Sequence, residues 1–462
     1  MKTLKQSPRT SVAMVTLGCA RNDVDSEELA ARLDAGGFQL VPDATDADVI
    51  VVNTCGFIDQ AKKDSIDTLL EASDQKANGR AQAVVAVGCM AERYGDELAE
   101  ALPEADAVLS FDDYPDISKR LRSILAGGHI EAHKPQDRRT LLPLAPIKRS
   151  AKRVKSTGRR RLTSGPYSPL KIASGCDRRC AFCAIPAFRG SYISRPVEEV
   201  IEEAEWLVQE GVKEVMLVSE NTSGYGKDLG DRRGLIKLLR ELNDVPGLER
   251  VRVSYLQPAE IYPGLLETMA SLEHVMSYFD ISFQHASASV LRRMRRFGDE
   301  ENFLKLLETV RQLDPQSGAR SNFIVGFPGE TEEDFETLCD FVQEARLDVM
   351  GVFAYSDEEG TEGEKLEGHL PDDVITDRTR ILTDLVTQMM DQRAAERVGE
   401  EVSVLVESLD ENSVVGRAEH QGPEVDGETR IEDADPQELR VGDIVKAKVV
   451  DSFGADLVAK QG

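Results

Sequence analysis

Residues 174–186 have the sequence SGCDRRCAFCAIP, which places Cys176, Cys180 and Cys183 in a C-x₃-C-x₂-C array. The array follows the apolar stretch LKIAS, a predicted strand, so the three cysteines lie in the loop after that strand. A structural zinc site needs four ligands, and no fourth Cys or His lies nearby in sequence. Three thiolates suit instead a 4Fe–4S cluster that leaves one iron open to a substrate or cofactor. Zinc is the alternative at this point.

The segment around this loop, residues 167–395, alternates strand and helix patterns. Six apolar stretches predict strands: LKIAS, EVMLVSE, VRVSYLQP, YFDISFQH, SNFIVGF and VMGVFAYS. Amphipathic stretches such as VEEVIEEAEWLVQEG separate them. Six consecutive strand–helix units predict a partial (β/α)6 barrel with its site at the carboxyl ends of the strands. In one of the helices Cys339 shares a face with Phe335 and Val342, which predicts a core thiol.

Residues 11–128 contain three strand-then-helix repeats, which predict an open parallel α/β sheet. Cys19, Cys55 and Cys89 each follow one of the three predicted strands. Parallel strands bring their carboxyl ends to one edge of a sheet, where α/β domains collect ligands. These thiols are therefore predicted to converge and to hold a second cluster with an open iron. Chance placement of three buried cysteines is the alternative.

Two further segments complete the predicted order of an α/β multidomain protein. Residues 129–166 include the basic run IKRSAKRVKSTGRRRL, which predicts a linker that is either solvated or in contact with an anion such as RNA. Residues 396–462 contain the short alternating stretches EVSVLVES, SVVGRAE and DIVKAKVVDSF and no long helix. That pattern predicts a small all-β barrel.

Composition restricts the class of protein. The chain has 462 residues, seven cysteines and a net charge of −27. An odd number of cysteines argues against a disulfide framework. Neither a bilayer-spanning apolar run nor a signal peptide is evident, so we expect a cytoplasmic protein without a membrane partner. The acidic charge argues against general affinity for nucleic-acid phosphates and serves either solubility or a basic protein partner.

The C-x₃-C-x₂-C loop after the first strand of a six-stranded βα barrel resembles the signature of radical S-adenosylmethionine (SAM) enzymes. The resemblance implies that SAM binds the open iron and that its reductive cleavage gives a 5′-deoxyadenosyl radical. Such a radical attacks C–H bonds that side-chain bases cannot deprotonate. Glu220, in LVSEN, is predicted to contact the methionine amino group of SAM. Gly326 and Gly329, in GFPGE, are predicted to let the backbone approach the cofactor, or else form a plain tight turn.

Two open clusters followed by a small β-barrel resemble the methylthiotransferases. The resemblance covers residues 11–460 and rests on TLGCARNDVDSE, NTCGFIDQAKKDSI, GCMAERY, SGCDRRCAFCAIPAFRGSYISR, QHASASVLRRMRR and GFPGETEEDF. It implies that the cluster which cleaves SAM is held by Cys176, Cys180 and Cys183. It further implies that an auxiliary cluster, which carries the transferred sulfur, is held by Cys19, Cys55 and Cys89. The C-terminal barrel would then be a TRAM domain.

Within this family, NTCGFIDQA, FQHAS and HQGPEVDGE are similar to the branch that modifies an aspartate of small-subunit ribosomal protein twelve. Charge supports the same branch, since residues 396–462 hold 17 Asp and Glu against 7 Lys and Arg. A barrel that binds tRNA should be basic, whereas an acidic barrel suits a basic ribosomal protein. We therefore predict transfer of a methylthio group to the β-carbon of that aspartate, with an electron donor as a second partner and with tRNA disfavoured as a partner.

Two other functions remain open at this level. The first is a tRNA adenosine methylthiotransferase, and the second is a non-catalytic iron–sulfur or electron-transfer protein, which would bind clusters without cleaving SAM. The scheme requires no general acid or base, and none is assigned. Arg189 and Arg195, in FRGSYISR, are predicted either to position a carboxylate or to form structural ion pairs.

Overall fold

The structure, a computed structural model, describes residues 9–140, 158–410 and 413–461. The described chain forms two compact units, one built from residues up to Ser164 together with Ile185–Ser191, the other from Gly165–Ala184 and from Tyr192 onward. In these ranges, no helix combines the length and the apolarity that crossing a membrane requires. The domain limits at 128, 166 and 395 stay predictions, and most of the predicted basic run lies outside the described residues.

The first unit contains one sheet and five helices. Its strands are β1 (Ser11–Thr16), β2 (Gln39–Leu40), β3 (Val49–Thr54), β4 (Ala83–Val87) and β5 (Ala107–Val108). Its helices are α1 (Ala20–Ala35), α2 (Asp59–Asn78), α3 (Gly88–Ala101), α4 (Ile117–Leu125) and the short α5 (Ile185–Arg189). The five strands are parallel in the order β2-β1-β3-β4-β5, which confirms the predicted open sheet.

The central strands of this sheet are buried on both faces because they are almost entirely apolar. β3 has the sequence VIVVNT and β4 the sequence AVVAV, and every one of their residues is buried. Val49 and Val51 enter a core that α1 and α4 cover. Ile50 and Val52 enter a second core, which α2 and α3 cover. Helices on both faces are what a parallel sheet requires, and they leave its carboxyl edge for a site.

Ion pairs hold the described ends of the predicted linker to the first unit, although most residues of these ends are exposed or partly exposed. Arg159 is buried and pairs with Glu27 of α1, and the Leu162 N–H donates to the same carboxylate at 3.0 Å. Before the gap, Arg138 pairs with Glu92 of α3 at 2.6 Å. A buried guanidinium needs such a partner, so carboxylates on α1 and α3 hold both ends of the segment to the first unit.

The second unit begins with eight short strands and seven helices. Its strands are β6 (Tyr167–Lys171), β7 (Ala173–Ser174), β8 (Ile193–Ser194), β9 (Glu214–Val218), β10 (Arg250–Val253), β11 (Tyr278–Asp280), β12 (Gly318–Val325) and β13 (Val349–Ala354). Its helices are α6 (Val197–Gln209), α7 (Gly234–Asn243), α8 (Leu265–Ser271), α9 (Ala288–Arg293), α10 (Glu300–Leu313), α11 (Glu332–Ala345) and α12 (Asp372–Glu396).

Six of these strands form the predicted partial barrel. They pair in parallel in the orders β10-β9-β6 and β11-β12-β13, while β7 and β8 form a separate antiparallel pair. Isolated parallel bridges, Val251 to Val275 and Leu256 to Ile281, connect the two sheets. One apolar core fills the interior and the space under the helices, and Cys339 packs against it partly buried, as predicted.

The C-terminal part of this unit is the predicted small barrel, closed by five strands. They are β14 (Glu401–Asp410), β15 (Ser413–Arg417), β16 (Thr429–Ile431), β17 (Ile444–Phe453) and β18 (Asp456–Gln461), in the order β14-β15-β16-β18-β17. Sequence patterns predict β14, β15 and β17 but not β16 or β18. β16 has three residues, too few for an alternation to be seen, and β18 follows β17 through a tight turn.

A buried ion cluster joins the partial barrel to the small barrel. Glu214, at the start of β9, lies 3.1 Å from Nε of Arg252 and 2.8 Å from Nη1 of Arg417, which belongs to β15. Arg250 adds a third guanidinium at 3.7 Å and donates to the Arg417 carbonyl at 2.9 Å. Burial alone would raise the pKa of Glu214, but the three guanidinium groups outweigh it and lower the pKa to about 2.

The substitution Glu214→Gln should destabilise the second unit by about 3–5 kcal/mol, because it leaves buried guanidinium groups without their shared counter-charge. Urea unfolding, followed by fluorescence of the single tryptophan, Trp206 of α6, measures the change. Since the pKa of Glu214 is lowered from 4.5 to about 2, the difference in free energy of unfolding between wild type and variant should be constant above pH 4.5 and shrink as pH falls toward 2.

Glu249→Gln, which removes a half-exposed carboxylate 3.7 Å from Lys213, is the matched control and should change stability little. Equal effects of the two variants would contradict the role of Glu214.

Candidate metal centres

The auxiliary trio, Cys19, Cys55 and Cys89, lies at the carboxyl edge of the first sheet. Cys19 immediately precedes α1, Cys55 directly follows β3, and Cys89 is the second residue of α3. Only Cys55 therefore follows its strand without a gap, although β1, β3 and β4 are neighbours in the sheet. All three are free thiols, of which Cys55 and Cys89 are buried and Cys19 is exposed. The predicted convergence is present in the structure.

Asn22, buried in the first turn of α1, holds together the loops that carry the auxiliary trio. Its Nδ2 donates to the carbonyl of Leu17 at 2.7 Å and to that of Thr54 at 3.3 Å. Its Oδ1 lies 3.7 Å from Sγ of Cys89. Asn53 in turn donates to the Asn22 carbonyl at 2.9 Å. Sequence analysis assigned Asn22 no role, because these contacts are not encoded in any local pattern.

Two glycines allow the thiol loops to approach one another. Gly18 has a φ of +96°, and a Cβ on it would lie 2.9 Å from Sγ of Cys55. A Cβ on Gly56 would lie 2.8 Å from Cα of Met90. The Cβ of any other residue at either position would push the loops apart. The loops can approach this closely because both positions are glycines.

Cys55 is held by a backbone hydrogen bond, and its surroundings influence the protonation of its thiol before any metal binds. Its N–H donates to Oγ of the buried Ser65 at 3.0 Å. Burial, together with the nearby sulfurs of Cys89 and Cys19, raises the pKa of Cys55 to about 11. A group that ligates iron must lose this proton, so loading of the site releases protons and is favoured at higher pH.

The chemistry of the auxiliary trio fits an iron–sulfur cluster, which cysteine thiolates ligate. Within the part of the chain that is described, no group of three Cys, His, Asp or Glu side chains is placed to hold a single metal ion. The unpaired thiols, their mutual electrostatic influence and the cradle at Gly18 all agree with such a cluster.

The second trio, Cys176, Cys180 and Cys183, lies in the loop after β6 and β7, at the carboxyl end of its sheet. The N–H of Cys183 donates to the carbonyl of Cys180 at 3.1 Å, which folds the loop into a turn. Ala181, between them, accepts from the N–H of Gly363 at 2.7 Å. Burial raises the pKa of Cys176 to about 11. This trio, like the first, requires deprotonation when a cluster binds.

Arg296 is a partner of this second trio that the sequence did not identify. Its Nη1 lies 3.6 Å from Sγ of Cys180, and its Nη2 donates to the carbonyl of Ser282. The signal was present in QHASASVLRRMRR, a stretch that supported the resemblance without any residue in it receiving a role. A guanidinium at this place compensates the charge of a thiolate in a partly buried site.

Glu220 and Asn221 follow β9 directly, at the same carboxyl end as the second trio. Nδ2 of Asn221 donates to Glu260 at 2.7 Å, and Arg178 of the cysteine loop lies 3.4 Å from the same carboxylate. Oδ1 of Asn221 is buried with no hydrogen-bond partner from the described residues. A buried acceptor here suits an ammonium donor such as the amino group of SAM. The role of Glu220 stays a prediction.

Gly326 and Gly329 have local structural reasons for their identity. Both have a φ of +80°. The Gly326 N–H donates to Glu330 at 2.9 Å, and a Cβ on Gly329 would lie 2.2 Å from the guanidinium carbon of Arg293. The Gly329 N–H donates to the carbonyl of Gly368 at 2.7 Å. These contacts agree with the tight-turn alternative, and a contact of either glycine with the cofactor stays a prediction.

The two arginines of FRGSYISR have different surroundings. Arg195 forms an ion pair with Glu203 at 2.7 Å and donates to the Lys171 carbonyl at 2.6 Å, which agrees with the structural alternative. Arg189 pairs with Asp25 at 2.8 Å, and its Nη2 lies 3.0 Å from Sγ of Cys89. Its carboxylate partner is thus internal, and its second contact is a thiol of the auxiliary trio.

Comparisons with known proteins cover most of the chain. A profile of the uncharacterized protein family UPF0004 matches residues 11–110, one of the radical SAM superfamily matches 170–342, and one of the TRAM domain matches 398–461. The TRAM match confirms the predicted type of the small barrel. Each matched range lies inside one of the three predicted domains.

Relatives of known name extend over nearly the full length. The chain is 60% identical to the ribosomal protein uS12 methylthiotransferase RimO of Cutibacterium acnes, over 97% of this chain and 98% of that protein. It is 62% identical to the protein of the same name from Nocardioides sp., over 97% of each chain.

A solved structure of the radical SAM methyltransferase TsrM from Kitasatospora setae, with cobalamin and a 4Fe–4S cluster bound, has a TM-score of 0.53 over 75% of each chain. At 15% identity, that likeness concerns the fold alone.

The substitution Gly18→Ala should prevent loading of the auxiliary cluster, because its Cβ would meet Sγ of Cys55 and its φ of +96° would be strained. Iron and sulfide per chain after anaerobic reconstitution should fall by about half, to the content of the other cluster alone. Gly127→Ala is the control, since Gly127 also has a positive φ, +79°, but open space around it. If Gly18→Ala retains as much iron as Gly127→Ala, the close approach at Gly18 does not shape the site.

Proposed function

Because the chain belongs to the family of ribosomal protein uS12 methylthiotransferases, we propose that it adds a methylthio group to the β-carbon of an aspartate in ribosomal protein uS12. The protein is a radical SAM enzyme whose cofactors are SAM and two 4Fe–4S clusters. The observation that carries the proposal is the presence of two trios of cysteines, each at the carboxyl end of parallel strands.

Each trio has its own task in this proposal. Cys176, Cys180 and Cys183 hold the cluster that binds SAM, while the auxiliary trio holds the cluster that carries the sulfur. When bound, these groups supply the radical that removes hydrogen from the β-carbon and the methylated sulfur that replaces it. The surrounding residues hold the thiols in place, and burial of three of the six, Cys55, Cys89 and Cys176, restricts access of water and oxygen to them.

Binding of SAM rests on the residues that follow β9. The unpartnered Oδ1 of Asn221 supports a contact with the amino group of SAM, and Glu220 adds a carboxylate next to it. Glu260 fixes Asn221 through its Nδ2 at 2.7 Å. These residues bind and orient the cofactor and transfer no proton, since the scheme needs no general acid or base.

Recognition of a basic protein rests on the acidic TRAM barrel. Residues 432–438, EDADPQE, hold four acidic residues, all exposed, between β16 and β17. Such a surface attracts a basic ribosomal protein and repels the phosphates of tRNA. We place the reaction in the cytoplasm, where ribosomal proteins are made, with a separate protein or reductant as electron donor.

The product identifies the function directly. The protein with both clusters, SAM and dithionite is offered uS12 and unmodified tRNA in one anaerobic vessel, and mass spectrometry locates any methylthio group. We expect modification of the uS12 aspartate alone. Cys176→Ala should abolish both the product and 5′-deoxyadenosine, whereas Cys89→Ala should abolish the product but still permit 5′-deoxyadenosine formation.

Other outcomes identify the alternatives. Modification of tRNA alone would contradict the proposed substrate and leave the two-cluster chemistry in place. Clusters without any 5′-deoxyadenosine would indicate the non-catalytic iron–sulfur protein.

Reversal of charge on the TRAM barrel tests how the substrate is recognised. The double variant Glu432→Lys, Glu438→Lys should raise KM for uS12 about tenfold and weaken its dependence on salt, with kcat little changed. Glu202→Lys, Glu205→Lys on the exposed side of α6 makes the same change in net charge elsewhere and is the control. Equal KM values for the two double variants would show that overall charge, rather than this barrel, attracts the substrate.

A further inference from the structure

Arg189, at the end of α5, is a buried guanidinium whose donors are divided between a carboxylate and a sulfur. Nη1 donates to Oδ2 of Asp25 at 2.8 Å. Nη2 lies 3.0 Å from Sγ of Cys89 and 3.2 Å from Oδ1 of Asn22. The guanidinium also stacks 4.4 Å above the ring of Phe111. These contacts, all within the first unit, leave the group little freedom to turn.

The way in which Arg189 divides its donors differs from that of a simple ion pair. A guanidinium that pairs with one carboxylate alone frequently forms two parallel hydrogen bonds to it. Arg189 instead directs one nitrogen at Sγ of Cys89. A neutral thiol is a weak acceptor, whereas a thiolate is a strong one. At 3.0 Å, Nη2 is placed to donate to the sulfur through which Cys89 would ligate iron.

The other two thiols of the auxiliary trio have different donors. Backbone N–H groups lower the pKa of the other two thiols, those of Asn22 and Arg21 at Cys19 and that of Phe57 at Cys55. The positive charge of Arg189 acts on both of these thiols as well. Cys89 differs in that a nitrogen of Arg189 lies 3.0 Å from its sulfur.

We propose that Arg189 is a positioning residue of the auxiliary cluster, which fixes the Cys89 thiolate and raises the reduction potential of the cluster by a charge-assisted N–H···S bond. Hydrogen bonds to cluster sulfurs and nearby charge are the means by which a protein tunes such potentials. A positive charge stabilises the reduced cluster, which carries one more electron. The inference rests on the proposed function in one respect, which is that Cys89 ligates a cluster.

The potential of the auxiliary cluster can be measured alone in the full-length chain with Cys176, Cys180 and Cys183 changed to Ala. In that background we compare Arg189, Arg189→Lys and Arg189→Gln by iron content and by redox titration of the reduced-cluster EPR signal. Arg159→Gln is the matched control, because Arg159 is also buried and also pairs with a carboxylate of α1, Glu27.

With Arg189→Gln, the ratio of reduced to oxidised cluster at the wild-type midpoint should fall at least tenfold, which is about 59 mV for a one-electron couple. Arg189→Lys keeps the charge without the planar fork and should show a smaller fall together with an altered EPR line shape. Arg159→Gln should leave potential and line shape unchanged. If both Arg189 variants lose iron while Arg159→Gln retains it, the result would also support the positioning role.

Wild-type potential and line shape in a fully loaded Arg189→Gln would overturn the inference, as would equal shifts in Arg189→Gln and Arg159→Gln. A chain with Arg189 intact that binds no cluster in the triple-Ala background would contradict the auxiliary site itself, and with it that part of the proposed function. The two failures are therefore distinguishable.

Discussion

Repulsion between sulfurs that must be ionised together is the constraint on which the first unit depends. Cys55 shows it, since burial and the neighbouring sulfurs of Cys89 and Cys19 together raise its pKa to about 11. Neighbouring thiolates repel one another in a medium of low dielectric constant, and bound iron and nearby donors offset that repulsion. The parallel sheet brings the thiols to one edge, while Asn22, Ser65 and the glycines hold the loops that carry them.

In the second unit, the main constraint is the attachment of the small barrel, which contacts the amino end of the parallel strands. Glu214 lies between guanidinium groups from β10 and β15, so a carboxylate with a pKa of about 2 joins the two barrels through buried charge. Breaking such a contact would expose uncompensated ions to an apolar interior. The TRAM barrel is therefore a fixed part of the enzyme's second unit rather than a tethered module.

Charged residues in the interior of this protein and those on its surface have different roles. Buried arginines compensate carboxylates and thiolates in the interior, as Arg189 does for Asp25 and Cys89. The surface of the TRAM barrel is acidic, and this fits a basic protein substrate better than an RNA.

Sequence alone determined the order of domains, the two cysteine trios and the parallel sheets, because each depends on local patterns. Buried strands are continuous apolar runs such as VIVVNT, and a cysteine near the end of such a run must lie near the carboxyl edge of its sheet. Tertiary structure alone decided that Arg189 contacts Cys89, that Arg296 contacts Cys180 and that Asn22 joins three loops. These contacts join residues up to 116 positions apart in the chain, so no local pattern encodes them. The same holds for β16, whose three residues become a strand only because β15 and β18 flank it.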